Sequence, residues 1–329
     1  APRPEANVVE WPGIPTTRRA MTLTSQDVLK AFERIRVFQR GEQRAVHKPL
    51  LILLALARIA QDAPRMVTFE DIEGAFKNLL AEFGPSSAPN SRHYPFWHLA
   101  TDGVWQLDGP ADFLNRPAGA TPNLSELRNL HIAGGFAPEV DAALRRDPAL
   151  LAQLAHQLLD AHFPETLHGD ILSAIGLDLS TPRTGESTDS DRQAAPRRDP
   201  KFRERVLRAY EYRCCVCGFD LRIGNITAGL EAAHIKWFQA KGPDIEANGL
   251  ALCALHHKVF DLGAFTILPD TYSMVFSQHA VSGEASRKML LGFHGAGIIL
   301  PQSKDYFPRT EFLHWHEKEV FKKPGRPQA

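Results

Sequence analysis

Cys214-Cys215-Val216-Cys217 and, 36 residues after Cys217, Cys253-Ala254-Leu255-His256-His257 are the stretches whose reading decides the fold. Cys214-x-x-Cys217 and Cys253-x-x-His256 are two ligand pairs, each at the short spacing of a tetrahedral zinc site. These are all four cysteines of the 329-residue chain, so a disulfide framework of a secreted protein is excluded in favour of metal binding in a reducing compartment. Cys215, inside the first pair, is read as a packing thiol. A helix over 253–261 puts Cys253 and His256 on one face and turns His257 about 100° away. Two adjacent histidines on one helix do not easily serve one ion, so His257 implies a second site.

The other polar residues for that site are His234 in Glu231-Ala232-Ala233-His234-Ile235 and Asn248 in Glu246-Ala247-Asn248-Gly249-Leu250. The order His234, Asn248, His257, in a strand, a loop and a helix, resembles the HNH nucleases and their ββα-metal core. The resemblance implies that His234 is the general base for an attacking water. It makes His257 the ligand of a catalytic Mn²⁺ or Mg²⁺ that stabilises the scissile phosphate and leaving 3′ oxygen. Asn248 either reaches that ion or holds the loop that aims His234. Many family members place an acidic metal ligand directly before the base histidine; here that residue is Ala233. A water, a backbone carbonyl or Glu231 are the substitutes, although Glu231 stands three residues upstream and can face elsewhere. Asp261, one turn beyond His257, either orients it or simply ends the helix.

Outward from this core, residues 201–329 read as one endonuclease domain. It opens with a basic helix near 202–212, carries a hairpin at 265–268 and 272–276, and closes with a helix near 315–321. Residues 179–200 are rich in Ser, Thr, Pro, Arg and Asp and read as a linker. Residues 22–178 read as a mainly helical domain: a helix from Thr24, an apolar helix over 50–59 after Pro49, a third over 68–83, a short strand at 103–107, and helices at 124–131, 138–145, 148–163 and 167–175. Residues 1–21 are an N-terminal extension without clear period, and Met21 is expected near the natural start. The fold class is therefore α+β, a helical DNA reader with a small β element joined to a zinc-containing ββα-metal nuclease.

Lys and Arg balance Asp and Glu at 38 each, which taken whole gives no hint of nucleic acid. Partition changes this. Residues 201–329 hold 17 basic and 13 acidic residues, the linker four of each, and residues 1–178 hold 17 and 21. Within the acidic half, basic residues gather over 30–48. A 43% hydrophobic content excludes a wholly disordered chain. The longest apolar run, 49–57, is too short for a bilayer, so a soluble cytoplasmic protein is expected.

Two segments of the helical half stand out. Arg44-Ala45-Val46-His47-Lys48-Pro49 sets a basic cluster at a helix start, where backbone N–H groups favour phosphate; the plainer reading is solvated charge. Tyr94-Pro95-Phe96-Trp97-His98-Leu99 is a dense aromatic run, either core or binding site. Together they resemble the sulfur-binding domain of McrA-like type IV restriction endonucleases, which couple that domain to a C-terminal HNH nuclease. The resemblance implies double-stranded, phosphorothioate-modified DNA as partner, with Tyr94 and the Pro95 ring in an apolar sulfur pocket and His47 beside it. Sulfur in place of a non-bridging oxygen is a poorer hydrogen-bond acceptor, so an apolar pocket loses less by desolvating it. Arg44, Lys48 and His98 are available for phosphate or base contacts; Arg128 is a weaker candidate.

The expectation is a modification-dependent endonuclease using structural Zn²⁺ and catalytic Mn²⁺ or Mg²⁺. Cutting both strands takes two such centres, so a homodimer is expected. The alternatives are an HNH nuclease reading another modification or a plain sequence, and a non-catalytic zinc DNA-binding protein.

Overall fold

The computed structural model describes residues 23–35, 46–85, 88–117, 120–179, 199–224 and 226–327. Arg44 and most of the linker lie outside them. The first half contains α1 (Ser25–Glu33), α2 (His47–Ala60), β1 (Val67–Thr68), α3 (Phe69–Phe83), α4 (His93–His98), β2 (Trp105–Asp108), α5 (Ala111–Leu114), α6 (Leu124–Asn129), β3 (Ala133–Phe136), α7 (Pro138–Arg146), α8 (Pro148–His162) and α9 (Glu165–Ile175). Caps set several of these boundaries. Thr24 and Asp27 form a capping box on α1, Thr68 caps α3, Asn123 and Glu126 box α6, and Asp147 caps α8 ahead of Pro148. The largely buried α2 is the centre of this half: ten of its fourteen residues face the interior, among α3, α4, α7, α8 and α9.

The aromatic run 94–99 is helical, and β1, β3 and β2 form an antiparallel sheet in that order. β3 reads Ala-Gly-Gly-Phe, which lacks the β-branched residues of a recognisable strand. Its glycines are required by close approach. A Cβ on Gly134 would lie 2.7 Å from Trp105 Nε1, and one on Gly135 would lie 2.2 Å from the Arg65 carbonyl oxygen. Arg128, its side chain 42% exposed, grips Glu73 of α3 together with Arg92, at 2.6–2.7 Å.

The second half contains α10 (Phe202–Ala209), β4 (Arg222–Ile223), β5 (Ile226–Thr227), β6 (Leu230–His234), β7 (Gly249–Cys253), α11 (Ala254–Asp261), β8 (Phe265–Ile267), β9 (Met274–Phe276), α12 (Glu284–Arg287) and α13 (Thr310–Glu319). β6 and β7 pair antiparallel from Leu230 opposite Cys253 to His234 opposite Gly249, and α11 follows directly; this is a ββα unit. The expected hairpin is β8–β9. The closing helix begins at Thr310, five residues earlier than its apolar pattern suggested, since Phe312 and Leu313 already face the core.

Each half has its own hydrophobic core, but the halves also pack together. Trp237, Trp315 and Val320 of the second half join the core of the first. α9 lies on α11, where Thr166 bonds Asp261 and Lys258 pairs with Asp170. Lys322 Nζ reaches the Gly84 carbonyl at 2.7 Å, and Gln239 reaches that of Phe163 at 2.9 Å. Among the described residues, no helix is long and apolar enough to cross a membrane.

Candidate functional site

Cys214 and Cys217 sit in a tight turn. The Gly218 N–H returns to the Cys214 carbonyl at 2.8 Å, and Gly218 takes φ +73°, a conformation glycine adopts freely. Cys253 ends β7 and directly precedes α11, so His256 falls beside it. The ligand atoms of Cys214, Cys217, Cys253 and His256 all lie within 4.8 Å of one another. His256 Nδ1 stands 3.1 Å from Cys253 Sγ and 3.7 Å from Cys214 Sγ. Two ligands of a tetrahedral zinc would stand about 3.6 Å apart, given Zn–S and Zn–N distances of about 2.3 and 2.0 Å. His256 Nε2 donates to the Met289 carbonyl at 3.0 Å, which fixes the tautomer that leaves Nδ1 for an ion.

In the thiol form, hydrogen bonding between Cys214 and Cys253 lowers the first pKa and raises the second to about 11. A divalent cation held by this cluster would supply the charge that keeps the thiolates deprotonated together. Cys215 is fully buried, its backbone N–H on Ala251, and burial raises its thiol pKa strongly. It packs and does not join the cluster.

His256 and His257 diverge as the helix geometry demands. His257 Nδ1 is 2.6 Å from Glu231 Oε2, and its Nε2 is 3.2 Å from Asp261 Oδ2. Glu231 therefore does turn toward the helix. Asp261 is 3% exposed and also accepts the Thr166 hydroxyl, so it is more than a helix-end residue. Burial disfavours charge on His257, but Asp261 and then Glu231 outweigh it and push the pKa up to about 10. The two carboxylates face opposite nitrogens of the ring, so Nδ1 of His257 and Glu231 are the pair that could share a cation, while Asp261 holds the imidazole from Nε2.

His234 closes β6. The Phe202 ring lies flat on its imidazole, 4.0 Å away and 15° from parallel, and Asp244 Oδ1 is 2.7 Å from its Nε2. Opposite it, Gly249 lets α10 approach; a Cβ there would meet Val206 Cγ2 at 2.4 Å. Asn248 is fully buried. Its amide donates to the carbonyls of Lys236 and Pro243 at 3.0 Å and accepts the Lys236 N–H at 2.9 Å. Those bonds tie both ends of the loop between β6 and β7. Gly242 permits the knot, since a Cβ there would lie 1.7 Å from the Lys236 carbonyl oxygen. Asp244 carried no motif signal; only its place in this loop, ten residues after His234, could have pointed to it.

In the first half, α2 packs on α4, and Lys48 stands near enough to His98 for its charge to act on that ring. Tyr94 is 49% exposed, lies 4.4 Å from the His93 ring, and stacks on His98 at 6.0 Å. Pro95 is buried beneath it, and Phe96 enters the core edge-on to Phe69 and Trp105. The run is thus both core and surface. His98 Nε2 is 2.8 Å from Thr121 Oγ1, and burial followed by the Lys48 charge lowers its pKa. Lys48 forms an ion pair with the nearly buried Asp102, so its charge is locally compensated.

Residues 214–268 match the family model of HNH endonucleases, and residues 25–180 match the model described as ScoMcrA-like, DNA sulfur-binding domain. The chain is a nuclease of the HNH class carrying a DNA-reading domain. More particularly, the first half matches a ScoMcrA-like DNA sulfur-binding domain, so the chain joins that domain to an HNH endonuclease domain.

Among solved structures, the sulfur-binding domain of ScoMcrA complexed with phosphorothioated DNA is 25% identical, over 45% of this chain and 94% of that one, with a TM-score of 0.40. The corresponding SprMcrA complex is 24% identical, over 47% and 96%, with a TM-score of 0.39. The type IV phosphorothioation-dependent restriction endonuclease ScoMcrA is 25% identical, over 48% of this chain but only 36% of its own length, with a TM-score of 0.39. No curated protein matches the chain.

Proposed function

We propose that this protein recognises phosphorothioated double-stranded DNA through its N-terminal half and hydrolyses phosphodiester bonds near the modified site through its C-terminal half. The observation that carries the reading is the ββα unit, with His234 at the end of β6 and the Glu231–His257–Asp261 cluster against α11, in a chain that also carries the sulfur-binding domain. Domain limits of 22–178 and 201–329, with 179–200 as linker, accord with it.

In this reading Cys214, Cys217, Cys253 and His256 hold a structural zinc that ties the Cys-x-x-Cys turn to the start of α11. His257 and Glu231 hold the catalytic divalent ion, Glu231 taking the place of the acid absent at Ala233. When bound, that ion stabilises negative charge on the scissile phosphate and the leaving 3′ oxygen. Asp261 holds His257 from its other nitrogen, as a carboxylate behind a histidine ligand does. His234 accepts the proton of the attacking water. Asn248 fixes the loop that follows His234.

In the reader, Tyr94 offers the sulfur an apolar surface backed by the Pro95 ring, with His47 and His98 as its neighbours. Lys48, and Arg44 outside the described residues, lie near enough in sequence to meet the backbone. Two HNH centres are needed to cut both strands, so the active species is a homodimer; a strict monomer on gel filtration with modified duplex would refute that point.

The test is incubation with Mn²⁺ of matched plasmids with and without phosphorothioates. Cleavage of the modified plasmid alone is expected, abolished in His234→Ala, and Tyr94→Ala should lose the preference for modified duplex while folding normally. Equal cleavage or equal binding of both plasmids would point instead to an enzyme reading plain sequence. Undiminished nicking by His234→Ala would refute the active site.

A further inference from the structure

We propose that Asp244 is the positioning residue of the general base, a role that rests on the HNH reading of His234. Its carboxylate holds the hydrogen of His234 on Nε2, so that the lone pair on Nδ1 is the one that takes the proton of the attacking water.

The loop between β6 and β7 brings Asp244 Oδ1 to 2.7 Å from His234 Nε2, with both side chains about 85–88% covered (15% and 12% exposed). An ionised carboxylate only accepts, so the hydrogen of a neutral His234 resides on Nε2. Phe202, flat against the ring, and Phe238, tilted at 6.2 Å, restrict its rotation, so the in-plane bond to Asp244 sets its direction. Asp244 is itself tied down. Its Oδ2 accepts the Asp199 N–H at 2.6 Å, and its carbonyl accepts Arg205 Nη2 at 2.6 Å. Arg205 in turn pairs with Asp199 and Glu246 at 2.5 and 3.1 Å. The nearest carboxylate to the imidazole is thus Asp244, and Arg205 is held by other acids around it. When His234 takes the proton at Nδ1, the imidazolium gains its charge next to a fixed anion, which favours the transfer.

The geometry also says what a single atom change does. Asp244 has two acceptor oxygens facing two donors, Nε2–H of His234 and the backbone N–H of Asp199. An asparagine has one. Whichever way its amide turns, one donor meets an NH₂; facing His234, that group selects the opposite tautomer, with Nδ1 protonated and unable to act as base. The comparable carboxylate-to-amide change beside a serine-protease histidine costs about 10⁴ in kcat.

The experiment compares Asp244→Asn and Asp244→Glu with the unmodified full chain, zinc-loaded, on phosphorothioated plasmid with Mn²⁺. For Asp244→Asn, kcat should fall by about 10²–10⁴ with KM, zinc content and duplex binding retained, and the acidic limb of the pH–rate profile should move to lower pH. Asp244→Glu, which keeps two acceptors, should leave that limb in place. In the double variant His234→Ala/Asp244→Asn, activity should be no lower than in His234→Ala alone, since one unit has been lost twice.

An Asp244→Asn enzyme with unchanged kcat and pH profile refutes the role, as does an Asp244→Glu limb that moves with the Asn one. A loss cured by raising Mn²⁺ also refutes it and makes Asp244 a metal ligand. If His234→Ala itself still cleaves, the HNH reading fails. If it is inactive while Asp244→Asn is normal, only the present inference fails.

Discussion

Binding of the catalytic ion should be driven by pH through His257, because the ion must displace a proton that two carboxylates hold in place. In the ion-free site Asp261 and Glu231 overcome burial and push the His257 pKa up to about 10. Only the neutral imidazole is a ligand. At pH 7.5 the neutral form is then a small minority, and freeing it costs roughly 3 kcal/mol of apparent metal affinity. Each unit of pH should recover about a factor of ten until pH approaches 10. The sign for stability is the reverse. A raised folded-state pKa contributes stability that is full below the unfolded value of 6.5 and is lost as pH rises through about 10.

Titration calorimetry of Mn²⁺ into the zinc-loaded protein at pH 6.5, 7.5 and 8.5 should show the apparent Kd falling about tenfold per step. Buffers of different ionisation heat should report about one proton released per ion. Asp261→Asn removes the leading electrostatic support of the charge and should flatten the slope. A Kd independent of pH across this window, with no proton release, would refute the assignment of His257 as ligand.

Other consequences of the structure are accessible to simple variants. Cys214→Ala should abolish stoichiometric zinc and lower the melting temperature, whereas Cys215→Ala should retain zinc and lose only packing, on the order of 1 kcal/mol; elemental analysis with thermal melts separates them. Glu73→Ala leaves Arg92, 11% exposed, without its carboxylate and should cost about 3 kcal/mol in urea unfolding. Because Arg128 and then Arg92 hold the Glu73 carboxyl below its ordinary 4.5, that contribution is complete above this pH and should fade on further acidification. Thr166→Val takes a hydroxyl from the buried Asp261 carboxylate and should destabilise the chain by about 1.5–3 kcal/mol, as read by chemical denaturation.

The zinc cluster was legible because its information is local: each pair sits on a short turn or one helical turn, so spacing nearly determines geometry. The divergence of His256 and His257 was legible for the same reason. Glu231 was harder. Alternation puts it and His234 on opposite faces of a regular strand, and only the docking of α11 shows that its face is the one met by His257. Asp244 was not legible at all, because a carboxylate in a polar loop looks solvated until the loop is folded back by Asn248. β3 was missed since its glycines serve the neighbours Trp105 and Arg65 and carry no pattern of their own. The partners of Arg128 and Lys48 were not legible, because Glu73 and Asp102 lie far from them in sequence and meet them only in the fold.

Those long-range pairings also bear on how the two halves communicate. Thr166 belongs to the reader's α9, Asp261 to the nuclease's α11, and Asp261 is the residue that holds Nε2 of His257. One turn away Lys258 pairs with Asp170 and bonds the Thr166 carbonyl. The reader therefore does more than tether a cutter to its site. It supplies a hydrogen bond to the carboxylate behind the proposed metal ligand. Any account of cleavage at a distance from the modification has to keep this contact or explain what replaces it, since breaking it leaves a buried carboxylate short of a donor at the catalytic helix.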